Sequence, residues 1–238
     1  MRVSVTVIAH NEEDFIEKCL YSVLHQSRPA DEVIVIAHNC TDKTVQIAQQ
    51  YPVQVVELHD SSGSMYSRAK AIALSTGDVV CCTDGDCVVD TDWVKNIVQP
   101  LEEHKSVSIV AGYTTIQNNL FWKFSSWWQF VINRKIRNRK AQRFAWGSNF
   151  AFRKKDYATV GGLEPLFVLK KELGLNYDAE DLYISLALQK VGSIFFALNA
   201  RVRTTMPPEK ASIKEQKNTI VPKQQEDNKK LFDYFDKV

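Results

Sequence analysis

Several common catalytic signatures are missing from this 238-residue sequence. It contains no GxSxG, no GxxxxGK[ST] and no GxGxxG pattern. These absences argue against a serine hydrolase, a P-loop nucleotidase and a dinucleotide-binding dehydrogenase. No run of apolar residues is long enough for a transmembrane helix, and the strand-like start MRVSVTVIA lacks the apolar core of a signal peptide.

Paired cysteines are also missing. The five cysteines, an odd number, include no two Cys-x-x-Cys units, and two of them are adjacent in an apolar run. This pattern argues against a disulfide framework or a zinc site and favours reduced thiols. We therefore expect a cytoplasmic protein.

Acidic residues are absent from His104 to Lys155, where eleven Lys and Arg residues occur. Within this segment, residues 118–143 carry aromatic and aliphatic residues at helical spacing, beside a cluster of basic residues. The segment could be ordinary core packing with solvated charges. It could also be a surface helix in peripheral contact with the inner face of an anionic membrane, or with a phosphorylated lipid-linked acceptor. Nucleic acid is not expected as a partner.

Regular alternation of apolar runs and helical periodicity marks the first half of the chain. The pattern predicts a doubly wound, mostly parallel α/β sheet flanked by helices, and the size fits a single domain. The predicted strands are 3–9, 32–37, 53–58 and 78–82, and the predicted helices are 12–26, 41–50 and 68–74.

The second half is less regular. It predicts a helix at 92–103, a strand at 107–115, a strand turning into a short helix within WGSNFAFRKKD (146–156), a helix at 179–192 and a strand at 193–200. From residue 206 the sequence is rich in Pro, Lys and Gln, and we expect a loose tail with one terminal helix through 231–235.

In the stretch TGDVVCCTDGDC, an apolar run predicts a buried strand. Two carboxylates, Asp84 and Asp86, lie at the end of this strand with only Gly85 between them. In parallel sheets, ligands bind in the crevice at the carboxyl ends of the strands. Mg²⁺ and Mn²⁺ prefer oxygen ligands and are often held by one or two carboxylates together with phosphate oxygens. An acidic, solvated turn is an equally good interpretation of the spacing alone.

A second acidic pair, Glu180 and Asp181, opens the predicted helix AEDLYISLALQKVG. Acids in a first helical turn are favoured by the helix dipole, so the pair alone is more typical of a structural role. A carboxylate fixed on a helix that faces the crevice could also act as a general base.

Three histidines, His10, His38 and His59, each follow a predicted strand. Their wide spacing makes metal ligation the weaker interpretation. Arg68 opens a predicted helix and could reach a diphosphate, although a solvated surface arginine is the default expectation.

Taken together, these segments resemble the inverting glycosyltransferases of family two, which have the GT-A fold. The resemblance covers about residues 1–200, in the order and spacing of the family. The segments that carry it are TVIAHNEEDFIEKCLYSVLHQS, EVIVIAHNCTDKT, SRAKAIALSTGDVVCCTDGDC, WGSNFAFRKKDYATVGGLEP and AEDLYISLALQKVG.

The resemblance implies a role for each matching position. Asp84 and Asp86 would hold Mn²⁺ or Mg²⁺ and the nucleotide diphosphate, Asp181 would be the catalytic base, and Glu180 would belong to the acceptor site. The donor sugar would lie against Gly147 and Asn149. The nucleotide would be bordered by Ala9, His10, Glu12, His38, Asn39 and Arg68. Residues 1–115 would form the donor half, 116–205 the acceptor half and 206–238 the C-terminal tail or helix.

The resemblance thus implies a metal-dependent enzyme that moves a sugar, most simply from a UDP-sugar, to a hydroxyl of a glycan, a lipid-linked molecule or a small molecule. Two departures from the family are visible. Ala37, His38 and Asn39 stand where many members have an acidic pair that reads the nucleobase, and the Q-x-x-R-W motif of membrane synthases is absent. Retention of configuration at the sugar and a non-catalytic binding scaffold remain open alternatives.

Overall fold

A computed structural model describes residues 1–59, 63–116, 145, 147–204 and 221–237. The predicted basic and aromatic segment 118–143 lies outside the described residues, so its contacts remain a prediction. Within the described residues, no helix is both long enough and apolar enough to cross a membrane.

Eight strands form one sheet in the order β3-β2-β1-β4-β7-β6-β8-β5. The strands are β1 Val3–Ala9, β2 Glu32–His38, β3 Gln54–Leu58, β4 Val79–Asp84, β5 Cys87–Val89, β6 Val107–Ile116, β7 Phe150–Arg153 and β8 Ser193–Thr204. The helices are α1 Ile16–Leu24, α2 Thr44–Ala48, α3 Gly63–Leu74, α4 Trp93–Glu103, α5 Lys154–Thr159, α6 Glu164–Glu172, α7 Glu180–Leu188 and α8 Val221–Phe235.

The first four strands are parallel, as predicted. Strands β1, β2 and β4 consist mainly of buried β-branched and small residues, which suit strands covered by helices on both faces. In the register, Ile8 lies beside Asp84 and Ala9 beside Ala37. The carboxyl ends of β1, β2 and β4 therefore meet at one edge of the sheet.

The second half adds antiparallel pairs. Strand β7 runs antiparallel to both β4 and β6, while β8 is parallel to β6 and antiparallel to β5. Strand β8 ends at Thr204, four residues beyond the predicted end, and β5 was not predicted. Their pairing brings Thr204 beside Cys87, at the same edge as the end of β4.

Two large apolar clusters lie on the sheet. One contains α1 and α4, with Trp93 and Leu101 fully buried, and the other contains α6, α7 and Leu231 of α8. Helix α8 begins at residue 221, ten residues before the predicted start of the terminal helix. The α/β fold with a mostly parallel, helix-flanked sheet is confirmed.

Candidate active site

The two carboxylates after β4 lie together at the edge where the parallel strands end. Ligand atoms of Asp84, Asp86 and Cys87 all lie within 4.8 Å of one another. Asp86 Oδ2 accepts a hydrogen bond of 3.1 Å from the Thr204 hydroxyl, and Asp86 Oδ1 lies 3.3 Å from the Cys87 thiol that donates to it. Carboxylate oxygens of this kind are the donor set that Mg²⁺ and Mn²⁺ prefer.

Gly85 lets the acidic turn lie close against the end of β1. A Cβ at this position would lie 3.0 Å from Ala9 Cβ and 3.3 Å from Glu12 Cγ. The Gly85 amide also donates to the Ile8 carbonyl at 2.8 Å. A side chain would therefore push the Asp-x-Asp turn away from the predicted nucleotide-binding residues Ala9 and Glu12.

Arg68 is buried, contrary to the default expectation of a surface arginine. Its side chain is 3% exposed, and it lies between the two acidic pairs. Nη2 donates to Asp84 Oδ1 at 3.1 Å, and Nε donates to Glu180 Oε1 at 3.5 Å. The guanidinium carbon also lies 5.4 Å from the centre of the Phe150 ring. One cation thus joins the acid at the end of β4 to the acid at the start of α7.

The remaining Arg68 nitrogen, Nη1, is buried and has no hydrogen-bond partner among the described residues. A buried donor without a partner is costly, so native proteins rarely leave one in place. Arg guanidinium groups pair well with phosphate oxygens. The positive charge of Arg68 beside Asp84 therefore suits a site that takes an anionic ligand.

Replacing Arg68 by Met should lower the free energy of unfolding by about 3 kcal/mol, because the carboxylates of Asp84 and Glu180 would lose their buried cation. Urea unfolding followed by circular dichroism measures this loss. Arg28→Met is the matched control, since Arg28 pairs with Glu102 at the surface and should cost less than about 1 kcal/mol. Equal losses in the two variants would contradict this account of the Arg68 site.

Asp181 is held by backbone groups on both oxygens. Oδ1 accepts from the Leu182 amide at 2.7 Å and Oδ2 from the Gly147 amide at 3.0 Å. Burial raises the pKa of Asp181 above its usual value, although these amides and the Arg68 charge oppose the shift. The carboxylate is thereby fixed in orientation, and it makes no direct ion pair with the described residues.

Glu180 differs from its neighbour because its side chain is buried against Arg68. Burial raises the pKa of Glu180 to about 7, with Arg68 opposing the rise and Asp181 adding to it. The pair therefore contains one carboxylate that faces a guanidinium and one that is held by amides. The structure brings both to the same network as Asp84.

Gly147 and Asn149, the predicted donor-sugar residues, occupy different surroundings. Gly147 lies between Arg68 and Asp181, since a Cβ there would be 3.2 Å from Arg68 Nη2 and 3.5 Å from Asp181 Oδ2. Asn149 is fully buried. Its Oδ1 accepts from Trp93 Nε1 at 2.8 Å and its Nδ2 donates to the Ala200 carbonyl at 3.0 Å. The structure therefore brings Gly147 to the crevice, while the Asn149 side chain ties α4 to β8.

The predicted nucleoside-binding residues lie at the ends of β1 and β2. His10 Nδ1 lies 2.7 Å from the His38 carbonyl, and Asn39 Nδ2 lies 3.2 Å from His38 Nε2. His59 pairs instead with Glu57 at 3.5 Å. Among the described residues, the group that could hold a metal contains no histidine. The structure therefore does not support a three-histidine metal site.

Hydrogen bonds hold the loops after β1 and β2 together. The sequence did not predict them. The Thr41 amide donates to Asn11 Oδ1 at 2.8 Å, and the Glu13 amide donates to Asp42 Oδ2 at 3.0 Å. Asn11 has a positive φ of 53°, a conformation that Asn tolerates better than most residues. The segment EVIVIAHNCTDKT contains Asp42, but only the fold shows which amides it caps.

Comparison with known proteins gives a family. The sequence model described as Glycosyl transferase family 2 matches residues 4–161. A similar curated protein is the "Putative teichuronic acid biosynthesis glycosyltransferase TuaG" of Bacillus subtilis, 32% identical over 117 residues, which are 47% of this chain and 46% of that protein. The chain spans about half the length of the curated relatives it matches.

Solved structures agree with the fold. The structure of GalNAc-T7 with UDP, GalNAc and Mn²⁺ superposes with a TM-score of 0.66 at 16% identity, covering 88% of this chain and 44% of that one. The mannosyltransferase PcManGT from Pyrobaculum calidifontis, in complex with GDP-Man and Mn²⁺, gives a TM-score of 0.65 at 20% identity, covering 88% of this chain and 58% of that one. The expected GT-A fold is confirmed, and the family match over 4–161 shows that the chain belongs to glycosyl transferase family 2.

Proposed function

We propose that this protein is a metal-dependent, inverting glycosyltransferase that moves a sugar from a UDP-sugar to a hydroxyl acceptor. The observation that carries the proposal is the buried Arg68, which contacts Asp84 on one side and Glu180 on the other. Because of this link, the proposed metal and diphosphate side and the proposed acceptor side would form one site. Glu180 and Asp181 lie outside the matched residues 4–161, so their role rests on this geometry and on the resemblance.

The negative charge of the crevice suggests that donor binding requires a divalent cation. Asp84, Asp86, Glu180 and Asp181 provide four carboxylates, with Arg68 as the guanidinium among them. A diphosphate is itself an anion, so it would be repelled from these acids without a cation. Bound Mn²⁺ or Mg²⁺ would neutralise the departing diphosphate. The similar structures that contain Mn²⁺ with UDP or with GDP-Man support this proposal.

On the donor side, Asp84 and Asp86 would hold the metal, and Thr204 would orient Asp86 through its 3.1 Å hydrogen bond. The guanidinium of Arg68, which lies beside Asp84, would attract the diphosphate by its positive charge. Ala9, His10, Glu12, His38 and Asn39 would border the nucleoside. Gly147 would approach the sugar.

On the acceptor side, Asp181 is a better candidate for the base than Glu180. Glu180 is paired with Arg68, which stabilises its charged form and limits its freedom to reach a hydroxyl. Asp181 is fixed by the amides of Leu182 and Gly147 and is more exposed. A raised pKa makes this carboxylate a stronger base toward the acceptor proton. Attack by the deprotonated hydroxyl opposite the leaving diphosphate would invert the sugar carbon.

The acceptor class we propose is the hydroxyl of a glycan, a lipid-linked molecule or a small molecule. Peripheral membrane contact would come through residues 118–143, which lie outside the described residues.

NMR of the product gives the anomeric configuration. A product that keeps the anomeric configuration of the donor would show a retaining mechanism and contradict the proposed inversion.

A panel of nucleotide sugars tests the proposal. UDP-glucose, UDP-GlcNAc, UDP-GalNAc, GDP-mannose and the free diphosphates would each be added with Mn²⁺, and then with EDTA. We expect at least one UDP-sugar to raise the melting temperature only with Mn²⁺, because ligand that binds the native state stabilises it. Release of UDP should accompany that binding. If no member of the panel binds and none releases its diphosphate, the proposal is overturned.

A further inference from the structure

The C-terminal helix α8 carries a fully buried carboxylate, Asp227, in the highly charged sequence VPKQQEDNKKLFDYF. Asp residues are rarely fully buried unless they are paired or hydrogen-bonded, because removing the charge from water is costly. A loose tail was expected here from composition. The burial of Asp227 therefore indicates a specific contact.

Asp227 accepts hydrogen bonds from the loop that precedes α7. Oδ2 accepts from the backbone amides of Asn176 and Tyr177, at 2.6 Å and 3.3 Å, and Oδ1 accepts from Asn176 Nδ2 at 3.1 Å. Lys230, one turn along α8, lies 3.6 Å from Oδ1. The carboxylate thus fixes two consecutive backbone amides of a loop that lies 51 and 50 residues earlier in the chain.

Other contacts of α8 hold the same region. Asn228 Oδ1 accepts a hydrogen bond from the Tyr177 hydroxyl. Leu231 is fully buried in the cluster that contains α7, and the Phe235 ring packs edge-on against Tyr183 of α7 at 5.6 Å. Helix α8 therefore holds both the loop 173–179 and the helix that follows it.

The loop 173–179 contacts two elements that carry residues of the candidate site, α7 and α3. It leads directly into Glu180 and Asp181, and its Asp178 accepts from the Met65 amide at 3.2 Å, at the start of the helix that carries Arg68. Lys170 also pairs with Asp178. Burial, together with the charges of Asp181 and Asp227, raises the pKa of Tyr177, which agrees with a ring placed near both carboxylates.

We propose that Asp227 is a positioning residue for the proposed transfer reaction: by fixing the amides of Asn176 and Tyr177, it sets the position of Asp181 relative to the donor. This inference rests on the proposed function. Asp227 does not touch the metal-side carboxylates in the described structure, so its loss should affect the acceptor side and spare donor binding. A displacement of about 1 Å can lower a rate about a hundredfold.

Asp227→Asn keeps the volume but only one acceptor oxygen, so its NH₂ group must face either the two backbone amides or Asn176 Nδ2 and Lys230 Nζ. Asp227→Ala removes all three hydrogen bonds. Asp233→Asn is the matched control, since Asp233 is an exposed residue of the same type on the same helix. Three quantities would be measured: Mn²⁺-dependent UDP release from the best UDP-sugar of the panel, UDP affinity by calorimetry, and hydrogen exchange of peptides covering 173–183.

We expect Asp227→Asn to lower the rate of UDP release at least about tenfold while changing UDP affinity less than about twofold. Exchange should accelerate at 173–179 and stay unchanged in β1 and β2. Asp227→Ala should show the larger effect, and Asp233→Asn should match the wild type.

Unchanged rates in both Asp227→Asn and Asp227→Ala would overturn the inference. A loss of UDP affinity as large as the loss of rate would also overturn it. Faster hydrogen exchange throughout the sheet would do the same, because either result indicates a general role in stability. Failure of the wild-type protein to bind or turn over any UDP-sugar is a different result, and it would overturn the proposed function on which the inference rests.

Discussion

Asp181→Asn is expected to lower the rate of sugar transfer between about 100-fold and about 10,000-fold, the range that a positioned general base contributes. The amide cannot take the acceptor proton. It also places a donor against one of the two backbone amides that Asp181 now accepts from, those of Leu182 and Gly147. Release of UDP at saturating donor, with Mn²⁺ present, measures the loss.

Donor binding should survive this substitution, because Asp181 makes no direct ion pair with Arg68 in the described structure and is proposed to act on the acceptor side. UDP affinity in the presence of Mn²⁺ should therefore stay within about threefold of the wild type, a difference below 1 kcal/mol. Asp233→Asn, at an exposed site, controls for the change of residue type. An Asp181→Asn protein that transfers at the wild-type rate would remove Asp181 as the base and favour Glu180 or a non-catalytic scaffold.

Asp86→Ala should weaken Mn²⁺-dependent UDP binding at least about a hundredfold. Changes to residues that merely support metal ligands already cost 10- to 100-fold in affinity, and Asp86 is a proposed ligand itself. The substitution leaves the Thr204 hydroxyl without its carboxylate partner and leaves Asp84 as the remaining acid beside Cys87. Calorimetric titration of UDP with and without Mn²⁺ measures the effect.

Asp92→Ala is the matched control for this second substitution. Asp92 lies six residues farther along the chain, is exposed, and accepts a hydrogen bond from the Ser27 hydroxyl. Its loss should leave UDP binding unchanged. If the two variants bound UDP equally well, the metal would have to be held elsewhere, and the interpretation of the Asp-x-Asp sequence as a surface turn would be preferred.

Local sequence was sufficient to predict the part of the site that lies at strand ends. The apolar run before Asp84 and the alternation of strands and helices indicate where each strand stops, and parallel strands bring those ends to one edge. The register of Ile8 beside Asp84 confirms that placement. The roles of the individual residues at this edge stay predictions until ligand binding is measured.

The environment of Arg68 could not be predicted in the same way. Its partners Asp84 and Glu180 lie 16 and 112 residues away in sequence, so no local pattern separates this arginine from a solvated one. The same reason applies to Asp227, whose sequence neighbours are polar and whose partners lie about fifty residues earlier. Burial of a charged residue depends on distant partners, which composition does not reveal.

Asn149 shows the opposite case. Its position in WGSNFAFRKKD, together with the family resemblance, predicts contact with the donor sugar, yet both ends of its amide are bonded inside the protein, to Trp93 and to the Ala200 carbonyl. A contact between this side chain and a sugar finds no support in the geometry. Gly147, two residues earlier, lies between Arg68 and Asp181 and stays the better candidate.

The most direct test of the central claim is the position of the metal in crystals grown with UDP and Mn²⁺. Anomalous scattering from manganese would locate the ion independently of the phosphates. We predict one strong peak in contact with carboxylate oxygens of Asp84 or Asp86, with the diphosphate between that ion and Arg68. Bound UDP with no manganese peak at this edge of the sheet, or a peak on other residues, would contradict the account.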